Sequence, residues 1–234
     1  MDTISPDPRT LATDVAGWMT GVLQSRPGPV AVALSGGSTP ELLYQALAAA
    51  PFADRVPWER VHWFWGDERF VPQSDPRSNY RMTMEAMLDR AIVPPGNVHP
   101  MPTEGVTADE GAAQYQALLQ AFYGRVALDP ARPLFDIVLL GLGTNGHTAS
   151  LFPNTPVLDE RSAWAAAVMP EDEPTRITLT YPVLESCRHA AFLVAGADKR
   201  DVLARVRASA PDLPAARYRP TGELHWFTNK AAAG

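Results

Sequence analysis

The segment LLGLGTNGHTASLFPNTP, residues 139–156, contains the side chain best suited to acid–base chemistry, His147. Three glycines precede this histidine in the spacing G-x-G-x-x-G: Gly141, Gly143 and Gly146. That spacing after an apolar run is typical of a dinucleotide-binding turn. A dinucleotide-binding unit continues into a long helix, however, and here Pro153 and Pro156 limit any helix to about two turns. We therefore predict that the glycines present His147, and we expect no NAD.

The residues after His147, Thr-Ala-Ser-Leu-Phe, predict a short helix that begins at or just after the histidine. The positive potential at a helix N-terminus disfavours an imidazolium ion, so the ring should stay neutral and act as a base. The sequence places no second histidine, cysteine or carboxylate at the spacing of a metal-ligand set. We therefore expect no metal ion.

The segment SGGSTPE, residues 35–41, has the features of a phosphate-binding turn. Gly36 and Gly37 let the backbone approach a ligand closely, and the hydroxyls of Ser38 and Thr39 suit a phosphate. Either Thr39 caps a helix that begins at the next proline, or Ser38 forms a capping box with the glutamate three residues later. A plain tight turn before a capped helix explains the same residues. The G-K-[ST] of a nucleotide-hydrolysing loop is absent.

Three consecutive charges, Asp67, Glu68 and Arg69, follow an aromatic run and a glycine, and Arg77 follows eight residues later. Charges so close to a core must be paired or used in chemistry. A salt bridge between Asp and Arg that ties down the loop is the structural alternative.

A further cation, Lys199, stands in the segment AGADKR. Asp198 can cap the helix that follows, which would place Lys199 in the first helical turn, where the helix dipole disfavours a positive charge. A bound anion would remove that objection, although a solvated lysine is equally common.

These segments all lie at the ends of short apolar runs that predict strands, and several runs are separated by helical patterns. The predicted strands are 30–34, 61–65, 135–140, 176–180, 190–195 and 223–227. The helical patterns include one that opens with a Thr107–Glu110 capping box. Such alternation predicts an α/β fold, a mostly parallel sheet with helices on both faces and Rossmann-like in character. We expect one domain over residues 1–234, with the chemistry at the carboxyl ends of the strands.

The composition narrows the classes of partner. Net charge is −6, and Lys and Arg form no cluster beyond short pairs, so we expect neither nucleic acid nor membrane as a partner. An anionic ligand would be held by a few placed cations. The N-terminus lacks the pattern of a secretory signal, no run approaches the roughly eighteen apolar residues of a membrane span, and there is one cysteine. The cytoplasm is the expected compartment.

Five blocks of the sequence closely resemble the 6-phosphogluconolactonases: SGGSTP, GDERFVP followed by SNY, GLGTNGHTASLFP, RITLTYPVL and AGADKR. They occur in the family's order, and GHTASLFP is the most specific. The resemblance implies a cytoplasmic hydrolase of the pentose phosphate pathway, independent of metals and cofactors. It would open 6-phosphoglucono-1,5-lactone to 6-phosphogluconate on the fold that is shared with glucosamine-6-phosphate deaminases.

The resemblance also implies roles for single residues. His147 matches the catalytic histidine, while Arg77, Lys199 and the SGGST turn match positions associated with the phosphate; Arg176 in RITLTYPVL is a further candidate for substrate binding. Two residues depart from the family pattern, because Asn145 stands where aspartate is common and Glu185 where asparagine is expected. An asparagine can orient a group but cannot carry charge.

Our mechanistic hypothesis is that neutral His147 takes a proton from water as the water attacks the lactone carbonyl. Backbone N–H groups or Arg69 would hold the oxyanion, and Asp67 and Asn145 would orient the water or the sugar hydroxyls.

Two alternatives remain at this point. A sugar-phosphate isomerase or deaminase of the same fold would carry Asn and Glu after its Gly-His, but residues 148–156 contain no acid. A catalytically silent sugar-phosphate sensor would have no reason to keep His147. We expect a monomer or a small homo-oligomer.

Overall fold

The computed structural model describes residues 1–171 and 173–234. Within these residues the strands are β1 (Asp2–Ser5), β2 (Val30–Leu34), β3 (Val61–Trp65), β4 (Asp67–Arg69), β5 (Val98–His99), β6 (Phe135–Leu140), β7 (Ala165–Val168), β8 (Arg176–Leu179), β9 (Cys187–Val194) and β10 (Glu223–Asn229). The α-helices are α1 (Pro8–Ser25), α2 (Ser38–Leu47), α3 (Asn79–Ala86), α4 (Ala108–Tyr123), α5 (Tyr181–Glu185), α6 (Arg200–Arg207), α7 (Pro214–Arg217) and α8 (Lys230–Ala233). Short 3₁₀ helices cover Trp58–Arg60, Leu88–Arg90, Pro95–Asn97, Pro156–Asp159 and Ala197–Lys199.

Seven strands form a parallel sheet in the order β1-β10-β9-β6-β2-β3-β5. Helices flank it, so the predicted α/β class and the mostly parallel sheet are confirmed. The central strands β2 and β6 are buried along their whole length, as expected for strands covered on both faces.

A second sheet of three antiparallel strands, β4-β8-β7, was not predicted. The strand predicted at residues 176–180 is observed as Arg176–Leu179, but it belongs to this small sheet. The two sheets meet at Gly66, whose N–H donates to Leu34 O at 2.8 Å while its carbonyl accepts from Leu179 N at 2.8 Å. The chain therefore leaves the carboxyl end of β3 and enters β4 directly.

Four neighbouring strands, β9, β6, β2 and β3, end at the same edge of the parallel sheet. The chain reaches β3 on one side of β2 and later β6 on the other side, so the edge between β2 and β6 is a topological switch point. Ligands of open α/β sheets bind in the crevice at such a point. Four of the five blocks marked in the sequence follow these four strands, and the fifth, which contains Arg176, forms β8 of the small sheet.

The helix signals were only partly predictive. The capping box of Thr107 and Glu110 at the start of α4 is confirmed. For α2, both proposed caps are wrong, because the N-cap is Gly37 and no side chain caps the helix. The predicted cap of Asp198 is also wrong: a 3₁₀ turn ends at Lys199, which is itself the residue before α6. In the part of the chain that is described, no helix has the length and apolar character to cross a membrane.

Candidate active site

The segments after β2, β3, β6 and β9 enclose a cleft of about 230 Å³. The residues that line it are Ser35, Gly36, Gly37, Asp67, Arg69, Asn79, Gly141, Leu142, Gly143, His147, Ala149, Arg176 and Lys199. A smaller cavity of about 150 Å³ continues from it towards the start of α2 and adds Ser38, Thr39, Pro40, Leu193, Val194 and Ala195. The fold thus brings together most of the residues that the sequence singled out.

His147 is held by Asn145. The side-chain oxygen Oδ1 of Asn145 lies 2.6 Å from His147 Nδ1 and also accepts the backbone N–H of His147 at 3.1 Å. A backbone N–H can only donate, so the atom facing it is the amide oxygen, and the same oxygen requires a proton on Nδ1. The other ring nitrogen, Nε2, is then unprotonated in the neutral ring and can accept a proton.

Two glycines make room for this histidine. A Cβ at Gly143 would lie 2.2 Å from both Cε1 and Nδ1 of His147, and Gly146 has a φ of +82°. The turn is closed by hydrogen bonds of 2.9 Å from Gly146 N to Gly143 O and from Gly143 N to His147 O. The glycines therefore turn the backbone under the imidazole, as the sequence analysis predicted.

The predicted helix after His147 is absent, and that prediction was wrong. Thr148 and Leu151 instead form an isolated antiparallel bridge around a turn in which Ala149 has a φ of +47°. The apolar residues of this segment are buried against the core rather than along a helix face: Leu151 is fully buried and Phe152 nearly so. The helix dipole consequently cannot be the reason for a neutral imidazole.

Burial provides that reason instead. Desolvation lowers the pKa of His147 below its ordinary value of 6.5; Asp67 opposes the shift, and the positive charges of Arg176 and Lys199 add to it. The ring of Phe152, whose centroid lies 4.4 Å from that of the imidazole, covers part of it. The ring is therefore neutral near pH 7, as a general base requires.

Asp67 is the acidic residue in the lining of the cleft, and it is buried. Its Oδ2 accepts from Ser150 Oγ at 2.6 Å and lies 3.7 Å from Arg176 Nη1. Arg176 also pairs with Glu173. The sequence analysis missed Ser150 and Glu173, because nothing in the spacing of Ser150, 83 residues from its partner, signals the contact.

Glu68, next to Asp67, has a structural role. Its carboxylate accepts from the backbone N–H groups of Arg69, Asn79 and Tyr80 at 2.7 to 2.8 Å and from Ser78 Oγ at 3.0 Å. Burial raises the pKa of this carboxyl, and the three backbone donors oppose the rise. The loop contains an Asp–Arg salt bridge of the kind considered above, between Asp75 and Arg77, and the Glu68 carboxylate ties it down further. Glu68 also fixes Asn79, a residue of the cleft lining that the sequence analysis did not select.

Arg69 and Arg77 are placed differently. Arg69 lines the cleft, and its Nη1 donates to the carbonyl of Arg77 at 2.6 Å. The Arg77 side chain is 58% exposed and forms a two-point ion pair with Asp75 at 2.8 and 3.0 Å. The structure therefore does not bring Arg77 into either cavity. Its link to the cleft is through its backbone, which holds Arg69.

The start of α2 and Lys199 both line the smaller cavity. Ser38 and Thr39 make no capping bond, so the first backbone N–H groups of the helix and both hydroxyls are available to a ligand. Lys199 lines both cavities and is 22% exposed, with Asp198 Oδ2 3.3 Å from its ammonium group. This end of the cleft can bind an anion. Glu185, the other departure from the family pattern, lies in α5 outside the cleft and accepts the backbone N–H of Arg219.

Two cationic groups at the cleft still have free donors. Arg69 and Arg176 are paired across β4 and β8, and both have a buried Nε with no hydrogen-bond partner among the described residues. A buried, unpaired guanidinium nitrogen is costly unless a ligand satisfies it. The cleft thus combines a neutral imidazole, one carboxylate and three cations, an arrangement suited to base catalysis on an anionic substrate.

Comparison with known proteins agrees with this geometry. The family model for glucosamine-6-phosphate isomerases and 6-phosphogluconolactonase matches residues 6–226. A 6-phosphogluconolactonase of Nostoc sp. is 44% identical over 209 residues, which are 88% of this chain and 84% of the relative. A solved 6-phosphogluconolactonase from Thermotoga maritima superposes with a TM-score of 0.83 at 29% identity, covering 98% of this chain and 99% of that one.

The fold extends to more distant proteins as well. A monomeric glucosamine-6-phosphate deaminase superposes with a TM-score of 0.83 at 17% identity, covering 100% of this chain and 98% of that one. The shared fold and the close relatives confirm the resemblance that GHTASLFP and the other blocks indicated. The chain belongs to the family of glucosamine-6-phosphate isomerases and 6-phosphogluconolactonases.

Proposed function

We propose that this protein hydrolyses 6-phospho-D-glucono-1,5-lactone to 6-phospho-D-gluconate in the pentose phosphate pathway, as a 6-phosphogluconolactonase. The observation that carries the proposal is the pairing of His147 Nδ1 with Asn145 Oδ1, which leaves Nε2 as the basic nitrogen of a ring that lines the cleft. Two relatives that are 42% and 44% identical over 88% of this chain bear the name of this activity.

In the first step a water oxygen attacks the lactone carbonyl carbon while His147 Nε2 takes one of its protons. The carbonyl oxygen becomes an oxyanion and the ring becomes an imidazolium, whose Nδ1–H is held by Asn145 Oδ1. In the second step the bond between that carbon and the ring oxygen breaks. The imidazolium returns its proton to the departing oxygen, which becomes a hydroxyl, and the new carboxylic acid ionises.

The oxyanion is assigned to Arg69, since its Nε is buried and unpaired beside the cleft. A donor fixed before the reaction stabilises the developing charge without reorganisation. Asp67 orients the water or a sugar hydroxyl with the carboxylate oxygen that Ser150 does not occupy. Arg176 lies between Asp67 and Glu173, so its charge is largely balanced within the protein.

The phosphate is assigned to the smaller cavity. There the first turn of α2 offers N–H groups and the hydroxyls of Ser38 and Thr39, and Lys199 adds a positive charge. A helix N-terminus and a placed lysine together recognise a dianion. The wall formed by Gly36 and Gly37 is common to both cavities, which lets one molecule occupy both.

The proposed activity also carries inferences about the substrate class, the compartment, the partners and the oligomeric state. The substrate is a small sugar phosphate, and we infer a cytoplasmic enzyme that acts without nucleic acid or membrane as a partner. We further infer one domain over residues 1–234 and a monomer or small homo-oligomer.

The test is hydrolysis of freshly generated lactone, followed by acid release and corrected for the spontaneous reaction. The protein should accelerate the reaction well above buffer, and His147→Ala should lower kcat by about 10² to 10⁴ with little change in KM. Circular dichroism must show a folded variant. A rate no faster than buffer for the wild type would refute the function, and a folded His147→Ala within threefold of wild type would remove the base.

A further inference from the structure

Three potential metal ligands come together at the end of the parallel sheet opposite the cleft. His189 lies near the start of β9, and Glu223 and His225 lie at the start of β10. The two strands are parallel neighbours in which Glu223 is directly opposite His189. One ligand atom from each of the three residues lies within 4.8 Å of the other two. The sequence argument considered spacing along the chain and not between strands, so it did not identify this group.

The distances suit a tetrahedral ion. Glu223 Oε2 lies 3.5 Å from His189 Nδ1 and 3.3 Å from His225 Nε2. Ligand atoms about 2.0 to 2.1 Å from a tetrahedral Zn²⁺ are roughly 3.3 Å apart, so both pairs already have the required separation. The remaining pair, one nitrogen of each histidine, lies within 4.8 Å.

Glu223 is the one polar neighbour of these histidine nitrogens among the described residues. Apart from the contacts to Glu223, the buried His189 Nδ1 and both ring nitrogens of His225 have no hydrogen-bond partner there. His225 is 5% exposed. Buried polar atoms without a partner are rare and costly, and a metal ion would satisfy two of these three. The ring of Trp18 lies 4.9 Å from that of His225 and 6.1 Å from that of His189, and it covers the site on one side.

We propose that His189, Glu223 and His225 bind a divalent transition-metal ion, with Zn²⁺ as the best match. Two imidazoles and one carboxylate form a common zinc ligand set, and solvent would supply the fourth ligand. The site lies away from the catalytic cleft. His189 and Val194, which lines the smaller cavity, are five residues apart in one strand, or about 16 Å. The ion would join β9 to β10 and leave the catalytic cleft unchanged.

The main experiment is titration of Zn²⁺ into tag-free, chelator-stripped protein by calorimetry, with thermal melting in parallel. The wild type should bind one ion at this site, and at about one hundred times Kd its Tm should rise by roughly 5 to 10 °C. Glu223→Gln should weaken this binding at least tenfold, and at the same Zn²⁺ concentration its rise in Tm should be about half that of the wild type or less. Its side chain is 71% exposed, so the substitution leaves the fold intact. Glu59→Gln, at a carboxylate that is 70% exposed, is the matched control and should behave as the wild type.

A second readout locates the ion. Cu²⁺ at the same ligands should quench the fluorescence of Trp18, whose ring lies 4.9 Å from that of His225, so Trp18→Phe should reduce the saturable part of the quenching and Trp58→Phe should leave it unchanged. A wild type whose Tm does not respond to Zn²⁺ would overturn the proposal. Equal Zn²⁺ affinity in the wild type and Glu223→Gln would overturn it as well, because the ion would then be bound elsewhere.

Discussion

Replacement of Asn145 tests how the imidazole is prepared for catalysis. Asn145→Ala removes the 2.6 Å contact to His147 Nδ1 and leaves an exposed position, so the fold should not change. A neutral hydrogen bond contributes about 0.5 to 1.5 kcal/mol, and one to a charged group about 1.5 to 3 kcal/mol. The ring is neutral in the ground state and charged in the transition state. The hydrogen bond is therefore stronger in the transition state than in the ground state by about 1 to 1.5 kcal/mol. Only this difference affects kcat, which should decrease roughly five- to thirteenfold in Asn145→Ala.

Asn145→Asp gives the complementary result. A carboxylate at the same distance adds a negative charge that favours the imidazolium, so the pKa of His147 rises. The acid limb of the pH profile of kcat/KM should therefore move to higher pH, while activity well above that limb is kept. Thr144→Ala is the control, since Thr144 is the neighbouring exposed residue of the same turn.

The assay is steady-state hydrolysis of fresh lactone across a pH series, with the background rate subtracted at each pH. KM should change little in either variant, because the contact is to the base and not to the phosphate. Wild-type kcat in Asn145→Ala would refute the role of Asn145. An acid limb in Asn145→Asp at its wild-type position would show that residue 145 does not interact with the titrating group.

Three further predictions concern the phosphate-binding residues, the glycine turn before His147 and the protonation of His147 itself. Lys199→Ala should raise KM roughly ten- to a hundredfold through loss of a charge-assisted contact to the phosphate. Arg77→Ala removes only the ion pair with Asp75 and should leave KM near the wild-type value. A raised KM in Arg77→Ala would mean that Arg77 binds the phosphate, as the family resemblance implies, although it lies outside both cavities. Gly143→Ala should lower kcat up to about a hundredfold, because the added Cβ would displace the imidazole of His147. Gly21→Ala is the control and should leave kcat unchanged, since no atom lies within 4 Å of a Cβ added there. The wild-type kcat/KM should fall on the acid side as His147 gains a proton at a pKa below 6.5, and a limb above that value would contradict the desolvated base.

The position of the site was predictable because strand ends are readable in the sequence. Apolar runs such as residues 30–34 and 135–140 are followed within two residues by a glycine, and a parallel sheet places all such ends at one edge. Contacts between distant segments were not predictable in the same way. The bond from Ser150 to Asp67 and the pairing of β4 with β8 depend on where the chain turns after Gly66. No local pattern in the sequence encodes that turn.

Local signals failed where tertiary contacts replaced them. The segment after His147 has helix-forming residues, but burial of Leu151 and Phe152 holds it in a turn with a positive φ at Ala149. The start of α2 has two good capping residues, yet Gly37 takes the cap position and leaves Ser38 and Thr39 in the first turn. A helix end that leaves its donors uncapped is typical of one that binds an anion. The failed capping predictions therefore support the phosphate assignment.

The three consecutive charges after β3 show how the fold assigns different tasks to neighbouring residues. Side chains alternate between the two faces of a strand, so Asp67 and Arg69 of β4 share one face and Glu68 occupies the other. Asp67 and Arg69 line the cleft, while Glu68 accepts the backbone donors that anchor the following loop. The sequence showed that these charges must be paired or used. The sequence could not show which charge anchors the loop and which charges line the cleft. That division depends on the segment being a strand, because only a strand places adjacent side chains on opposite faces.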